Sequence, residues 1–295
     1  MTAGIPQVKK VERRIGRFFR ISMGCFAILL LMSTGVFGAN VGVIEVQKFS
    51  RNPGAWVVLD GRPKAQWQAG HVPGAHSFSW ENYTRTDEKG VQFKVLSPRE
   101  MADALAALGI GEKTAVVVYG DADTSWGGEG WLVWVLSWLG HQGEVRILSG
   151  GIQSWRAANL SVEKGEVRYR GPRLRYQVAL QPQLDISTGE LRKVLGKVTL
   201  VDTRSTWERL RGTLPGAVAI SWEDFFAGKD RHPLPPAEVK KLLAKHGVDL
   251  RKPVVYYCTG GIRSGYAWMV HTLAGLPNGR NYEGGMEEWK RLGSP

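Results

Sequence analysis

Cysteine is almost missing from this chain of 295 residues, where Cys25 and Cys258 are the only two. Two thiols cannot build the disulfide framework that small secreted domains depend on, nor a cysteine-rich zinc site. Histidine is sparse as well. His71, His76, His141, His232, His246 and His271 show no ligand spacing with one another or with Cys258, so no metal site is expected. Acidic residues are scarce at the start, where Lys9, Lys10, Arg13, Arg14, Arg17 and Arg20 face Glu12 alone. Charge of either sign is absent from residues 21–39, ISMGCFAILLLMSTGVFGA. A basic stretch, an apolar run and then small residues is the order of an export signal. The run is also long enough to span a bilayer if it is kept. Residues 1–39 are therefore expected to be an export signal or membrane anchor, with Cys25 inside it. Positive charge ahead of the run places the body of the chain in the periplasm or otherwise outside the cytoplasm. The expected membrane contact is limited to residues 21–39, if they are not cleaved. The exported body would then hold one cysteine with no partner in its own chain.

What is present reads as a folded protein. The chain is 43% hydrophobic and 22% charged, and it carries twelve tryptophans and 37 glycines. That composition argues against disorder. The net charge of +12 is partly local to the N-terminus. The remainder favours anionic small molecules and does not require nucleic acid. The stretch RYRGPRLRY, residues 168–176, interleaves arginine and tyrosine as RNA-binding segments do. Its central Gly-Pro and its place in the chain read instead as a basic linker, and no nucleic-acid partner is expected.

The chain repeats itself. VVLDGR (57–62) resembles TLVDTR (199–204), and GHVPGA (70–75) resembles GTLPGA (212–217), both offset by 142 residues. LGIGEKTAVVVYG (108–120) matches HGVDLRKPVVYYC (246–258), and LSGGIQSW (148–155) matches YEGGMEEW (282–289). The order is kept, and the period is far longer than that of solenoid repeats. Two tandem copies of one fold are expected, over residues 42–163 and 183–295, with residues 164–182 as linker. Each copy alternates strand and helix signals. Ser97, Pro98 and Glu100 form a capping box ahead of an apolar-periodic run that Gly109 stops. PPAEVKKLLAKHG, ending at Gly247, is its counterpart. Val116–Tyr119 and Val254–Tyr257 are β-branched and aromatic runs suited to strands buried on both faces. The expected class is α/β, with a parallel sheet flanked by helices in each copy. Trp131, Trp134 and Trp138 fall at helical spacing and read as core. Trp155 and Trp289, each after a Gly-Gly, read as core or interface anchors.

In open parallel sheets, reactive groups gather beyond the carboxyl ends of the strands. Cys258 falls at such an end. Gly260 and Gly261 follow, then a helix starting near Ser264. Amide N–H groups of this bend would form a nest for an anion, and the helix dipole adds positive charge at the same end. Both favour thiolate over thiol and would stabilise an anion attached to the sulfur, including a persulfide. Arg263 adds a full charge.

The loop CTGGIRS, residues 258–264, resembles the active-site loop of rhodaneses: cysteine, four residues, arginine, then Ser or Thr. The tandem copies, the paired G-x-x-PGA segments and the paired GG-x-x-x-W segments are similar to two-domain thiosulfate or 3-mercaptopyruvate sulfurtransferases. The resemblance spans about residues 45–295 and implies a sulfurtransferase. Cys258 would take sulfur from thiosulfate or 3-mercaptopyruvate, hold it as a persulfide, and pass it to a thiol or cyanide. Thr259, Gly260, Gly261, Ile262, Arg263 and Ser264 would bind the persulfide. No metal or organic cofactor is implied, and an exported protein is a further candidate acceptor. The resemblance also implies a non-catalytic first copy, and Gly120 does stand where Cys258 stands in the second. Asp121, Asp123 and Glu129 near it read as solvated loop carboxylates or interface contacts.

Asp202 and Arg204 are echoed by Asp60 and Arg62 in the other copy, which favours a structural role over substrate binding. Asp202 is expected to accept from loop backbone and Arg204 to pair with Glu208. Arg209 and Arg211 are either donor contacts, as arginines of this segment are in the family, or exposed structural residues. Thiosulfate-using members carry a lysine two residues after the cysteine, where this chain has Gly260. Two other functions fit parts of the pattern: a persulfide carrier without turnover of small acceptors, and a phosphatase of the rhodanese fold. The phosphatase needs one more residue between Cys258 and Arg263 than residues 259–262 provide. YCTGGIR also resembles rhodanese-domain proteins that hydroxylate tRNA, a role an export signal opposes.

Overall fold

Short β-branched runs such as Val57–Asp60 and Val254–Tyr257 cannot satisfy their backbone groups alone. They do so in two parallel sheets. The computed structural model describes residues 39–121 and 123–293, with residues 1, 2 and 4. Residues 5–38 of the expected export or anchor segment, Cys25 among them, lie outside the described residues.

The first sheet has five parallel strands in the order Asn40–Ile44, Glu144–Leu148, Val116–Tyr119, Val57–Asp60, His76–Ser77. The second has four, in the order Gly279–Tyr282, Val254–Tyr257, Thr199–Asp202, Val218–Ala219. The last four strands of the first order correspond one by one to the second. The edge strand Asn40–Ile44 has no counterpart strand; a single parallel bridge from Asp185 to Asn281 stands in its place. That edge strand begins two residues ahead of the expected boundary at residue 42. Residues 164–181 contain no helix or strand.

The helix starts follow their local chemistry. In the Pro98–Ala107 helix, Ser97 Oγ accepts from the Glu100 amide (3.3 Å) and Glu100 Oε2 accepts from the Ser97 amide (2.9 Å). Pro236–Lys245 has no side-chain cap and begins on two prolines.

The Asp-x-Arg echo is one buried device built twice. Arg62 Nη2 lies 2.6 Å from Asp60 Oδ2 and donates to Gly70 O at 2.9 Å, while the Tyr119 hydroxyl donates to Asp60 Oδ2. In the second copy, Arg204 Nη2 lies 2.6 Å from Asp202 Oδ2 and donates to Gly212 O at 2.8 Å. Tyr257 donates to the same carboxylate at 2.8 Å. A buried charge needs a partner, and the pair ties each strand end to its G-x-x-PGA turn. Asp202 accepts from the Arg204 amide at 3.1 Å, as expected. The expected pairing of Arg204 with the Glu208 side chain does not occur, because Asp202 takes the guanidinium and Glu208 faces the other way.

The two copies share the main core cluster, and each keeps a smaller cluster of its own on the other face of its sheet. A single hydrophobic cluster includes Val116, Val118, Trp131, Trp134 and Trp138 of the first copy and Val254, Tyr256, Tyr266 and Met269 of the second. Its centre is the crossing of the helices Gly128–Trp138 and Ile262–Leu273. The first is buried along its whole length, Glu129 and Ser137 included. Glycines let them touch: a Cβ on Gly130 would lie 2.3 Å from the Cα of Tyr266, and one on Gly265 would lie 2.9 Å from the Cα of Trp131.

Candidate active site

Strand Val254–Tyr257 ends at Cys258, and Gly261, at φ +82°, caps the helix Ile262–Leu273. The helix therefore starts two residues ahead of Ser264. A Cβ on Gly261 would meet the backbone of Glu283 at 2.6 Å, so both its dihedral and its surroundings demand glycine. Among the described residues, no group accepts from the backbone N–H of Thr259, Gly260, Gly261, Ile262, Arg263 or Ser264. The six residues that follow Cys258 thus carry six consecutive donors without an acceptor.

Cys258 is 1% exposed and lines the floor of a pocket of about 320 Å³. Ser264 Oγ lies 3.6 Å from its sulfur and 2.6 Å from Asn281 Oδ1. Asn281 Nδ2 donates to Gly261 O at 3.0 Å, so Asn281 braces the loop from the neighbouring strand. Arg263 forms a two-pronged ion pair with Glu208, at 2.7 and 2.6 Å, and also donates to Thr259 Oγ1. Thr259 in turn donates to Glu208 Oε1 at 2.8 Å. Burial opposes the charge on Arg263, yet the hydrogen bond to Glu208 and the charges of Cys258 and Glu208 hold the guanidinium above its ordinary range. Burial likewise opposes Glu208, and Arg263, Ser205 and Thr259 outweigh it, holding the carboxyl well below the usual range.

The first copy completes the pocket. Trp80, Phe93 and Trp126 form walls opposite Cys258. Trp80 donates through Nε1 to Ser125 O at 3.2 Å and meets Phe93 edge to face. Arg263 lies 5.7 Å from the Trp126 ring centre.

Of the sequence candidates, Cys258, Thr259, Gly260, Ile262 and Arg263 line the pocket, while Gly261 caps the helix and Ser264 Oγ lies 3.6 Å from the Cys258 sulfur. Asp202 and Arg204 are spent in the buried strand-end pair. Arg209 donates to Arg204 O and Thr206 Oγ1, and Arg211 is exposed; neither lines the pocket. Glu208, Asn281, Trp80, Phe93 and Trp126 were missed. The capping box Ser205-x-x-Glu208 was the one local signal for Glu208, and it explains half of that carboxylate's contacts.

The corresponding loop of the first copy is filled. A Cβ on Gly120 would lie 2.2 Å from Glu129 Oε2. Asp121 accepts from the amides of Asp123 and Thr124, occupying donors that stay free in the second copy. Glu129 is not the solvated carboxylate expected: it is 5% exposed and hydrogen-bonded to Ser125. Burial pushes its carboxyl up to about 7, against the lowering by Ser125. Asp123 is exposed, 4.0 Å from Arg231 of the second copy.

The fold is a duplicated parallel α/β unit, and its one cysteine loop among the described residues lies in the second copy. The chain belongs to the rhodanese-like family, whose domain model matches residues 45–158 and 187–292, and within it to the sulfurtransferases. It is 31% identical over 242 residues to a probable 3-mercaptopyruvate sulfurtransferase of Pseudomonas aeruginosa, covering 76% of this chain and 82% of the relative. It is 28% identical over 270 residues to the sulfur carrier protein TtuD of Thermus thermophilus, covering 84% and 92%. In fold it is similar to the 3-mercaptopyruvate sulfurtransferase SseA of Escherichia coli, with TM-score 0.72, 20% identity, and 83% and 98% of the two chains covered.

Proposed function

We propose that the chain transfers sulfane sulfur through a persulfide on Cys258. The observation that carries this is the run of six amide donors without an acceptor in the loop that follows one buried thiol. They stabilise negative charge on an added sulfur without reorganising. In the first step, the Cys258 thiolate attacks the outer sulfur of thiosulfate. The S–S bond of the donor breaks, sulfite leaves with the electron pair, and Cys258 carries a persulfide anion. With 3-mercaptopyruvate the leaving group is pyruvate, which takes up a proton. In the second step, a thiolate or cyanide attacks the terminal sulfur and frees the Cys258 thiolate. Splitting the transfer this way is covalent catalysis. Curated relatives carry both donors in their names. Thr259 and Ser264 position the loop, and Arg263 supplies a fixed charge beside the sulfur. Residues 1–39 direct the chain out of the cytoplasm in this reading.

The test is thiocyanate formation from cyanide with each donor. Cys258→Ser abolishes it; turnover surviving in that variant contradicts the mechanism. A persulfide carrier serving a protein acceptor is the second reading. It is favoured by Trp207 and Leu210, 80% and 72% exposed beside Glu208, and by the carrier relative. Loading of Cys258 with no turnover of small acceptors would select it.

A further inference from the structure

The basic linker takes no part in the sulfur chemistry, and its surface differs from the one its sequence suggests. Residues 168–180 hold Arg168, Arg170, Arg173 and Arg175 and no acidic residue. The tyrosines between them do not offer open rings for stacking on bases, which single-stranded RNA requires. Tyr176 is 7% exposed, with its hydroxyl 3.1 Å from His141 Nδ1, and Tyr169 is partly buried beside His76. Exposed in their place are Leu174, Val178 and Leu180, at 40%, 39% and 41%. Leu174 and Val178 border a groove of about 620 Å³ against Ala102 and Ala106, which Arg99 and Arg175 also line. The linker lies at one defined end of the first sheet. The Gln177 amide donates to Glu112 Oε2 at 3.2 Å, the Ala179 amide to Leu139 O at 2.9 Å, and the Gln181 amide to Trp138 O at 2.8 Å. These acceptors precede the strands Val116–Tyr119 and Glu144–Leu148, at their amino ends. Asn40 pairs with Glu144 in parallel register, so the strand Asn40–Ile44 starts at this same end. The uncharged run 21–39 stops directly before it. The acids here are spent: Glu112 on the Gln177 amide, Asp103 on Arg173 at 3.0 Å and Glu144 on Arg146 at 3.1 Å. Among the described residues, Arg168, Arg170 and Arg175 form no salt bridge.

Resting on the reading of residues 21–39 as a retained anchor, we infer that this face is a membrane-docking surface, with residues 168–180 lying on an anionic phospholipid bilayer. The arginines take the lipid phosphates, which the guanidinium fork matches in shape as well as charge. Leu174, Val178 and Leu180 enter the boundary between headgroups and acyl chains. Apolar side chains flanked by cations are what an interfacial segment presents to a bilayer. The anchor holds the bilayer beside this end of the sheet, so contacts of modest affinity are enough to close the surface onto it.

The experiment uses the full chain with vesicles of phosphatidylcholine alone or of phosphatidylcholine with phosphatidylglycerol. Flotation reads attachment, and hydrogen exchange with mass spectrometry reads the amides of residues 173–180. A variant carrying Arg168→Gln, Arg170→Gln and Arg175→Gln together is run alongside. All three side chains are exposed, so it keeps the fold, and unchanged exchange elsewhere in the chain checks that. Phosphatidylglycerol is expected to slow exchange of these amides by about tenfold or more over phosphatidylcholine alone. Raised salt and the triple variant are each expected to remove that slowing, since each cation at an anionic surface contributes about fivefold. Flotation with both kinds of vesicle and no slowing at residues 173–180 keeps the anchor and overturns the docking surface. Slowing that is equal in the two kinds, or that survives in the triple variant, overturns it as well. Flotation with anionic vesicles alone, lost in the triple variant, keeps the docking surface and overturns the anchor; flotation with neither overturns both. Slowing of the same amides by a uridine oligoribonucleotide, at concentrations where anionic vesicles have no effect, overturns the bilayer in favour of RNA.

Discussion

Glu208 sets how much positive charge the pocket offers. It holds both prongs of Arg263 and the hydroxyl of Thr259. Hydrogen bonds to charged groups are worth about 1.5–3 kcal/mol when kept from water, and this carboxylate is one-third exposed, so solvent takes part of that. Glu208→Gln leaves the Arg263 charge uncompensated beside Cys258, so it is expected to raise sulfur loading from thiosulfate by about threefold to tenfold, read by intact mass, and to lower the melting temperature because a half-buried ion pair is broken. Because the folded carboxyl is held below its ordinary value of 4.5, the stability it contributes is complete above that pH and is lost as pH falls below it. Glu129 has the opposite sign. Its carboxyl is raised to about 7 by burial, so its stabilising share is complete below about pH 4.5 and is lost as pH rises through 7. Glu129→Gln should therefore raise the melting temperature at pH 8, by an upper bound of about 3 kcal/mol of stability, and change it little at pH 5. Equal gains at both pH values would show that the carboxylate is not strained by charge.

At the scale of elements, the decisive contact is the crossing of Gly128–Trp138 with Ile262–Leu273. Neither partner has room for a methyl group at Gly130, where the nearest atom is backbone. Gly130→Ala is expected to cost about 1–3 kcal/mol by overpacking, despite alanine's better helix propensity, and urea unfolding would read it. A stabilised Gly130→Ala protein would contradict this close approach. The strands, the Ser97 cap and the Cys258 bend were legible in sequence because they depend on near neighbours along the chain. Asn281, Phe93 and Trp126 were not. Asn281 reaches the loop from a strand seventeen residues beyond Ser264, and the two aromatics come from the opposite copy. Nothing in local spacing marks such contacts. Arg204 was misassigned for a related reason: Glu208 was its nearest acid by helical spacing, but the buried Asp202 was the stronger partner.

For the whole molecule, duplication has been used asymmetrically. The first copy keeps the buried Asp60–Arg62 pair and the helix, fills its own loop with Asp121 and Glu129, and lends aromatic walls to the second. Lys94 joins them. It pairs with Glu283 and with Glu288 (2.9 Å), while Glu283 also accepts from the Val95 amide at 2.6 Å. Asp185, whose amide-bound carboxylate is raised by burial and by Glu283, lies alongside. Removing one partner of a buried pair costs about 3–5 kcal/mol because the other charge is stranded. Lys94→Ala is expected to lose about that much near neutral pH, and to recover part of it toward pH 5 as the raised carboxyls protonate. Calorimetry at the two pH values checks this; a loss independent of pH would mean the carboxylates are not strained.

The account depends on Cys258 accepting a sulfur atom. Intact-mass analysis of the purified protein after brief exposure to a sulfane donor tests this directly. The expected result is a gain of one sulfur atom, removed by cyanide and absent in Cys258→Ser. A chain that keeps its original mass with every donor, or that gains sulfur equally in Cys258→Ser, would contradict it.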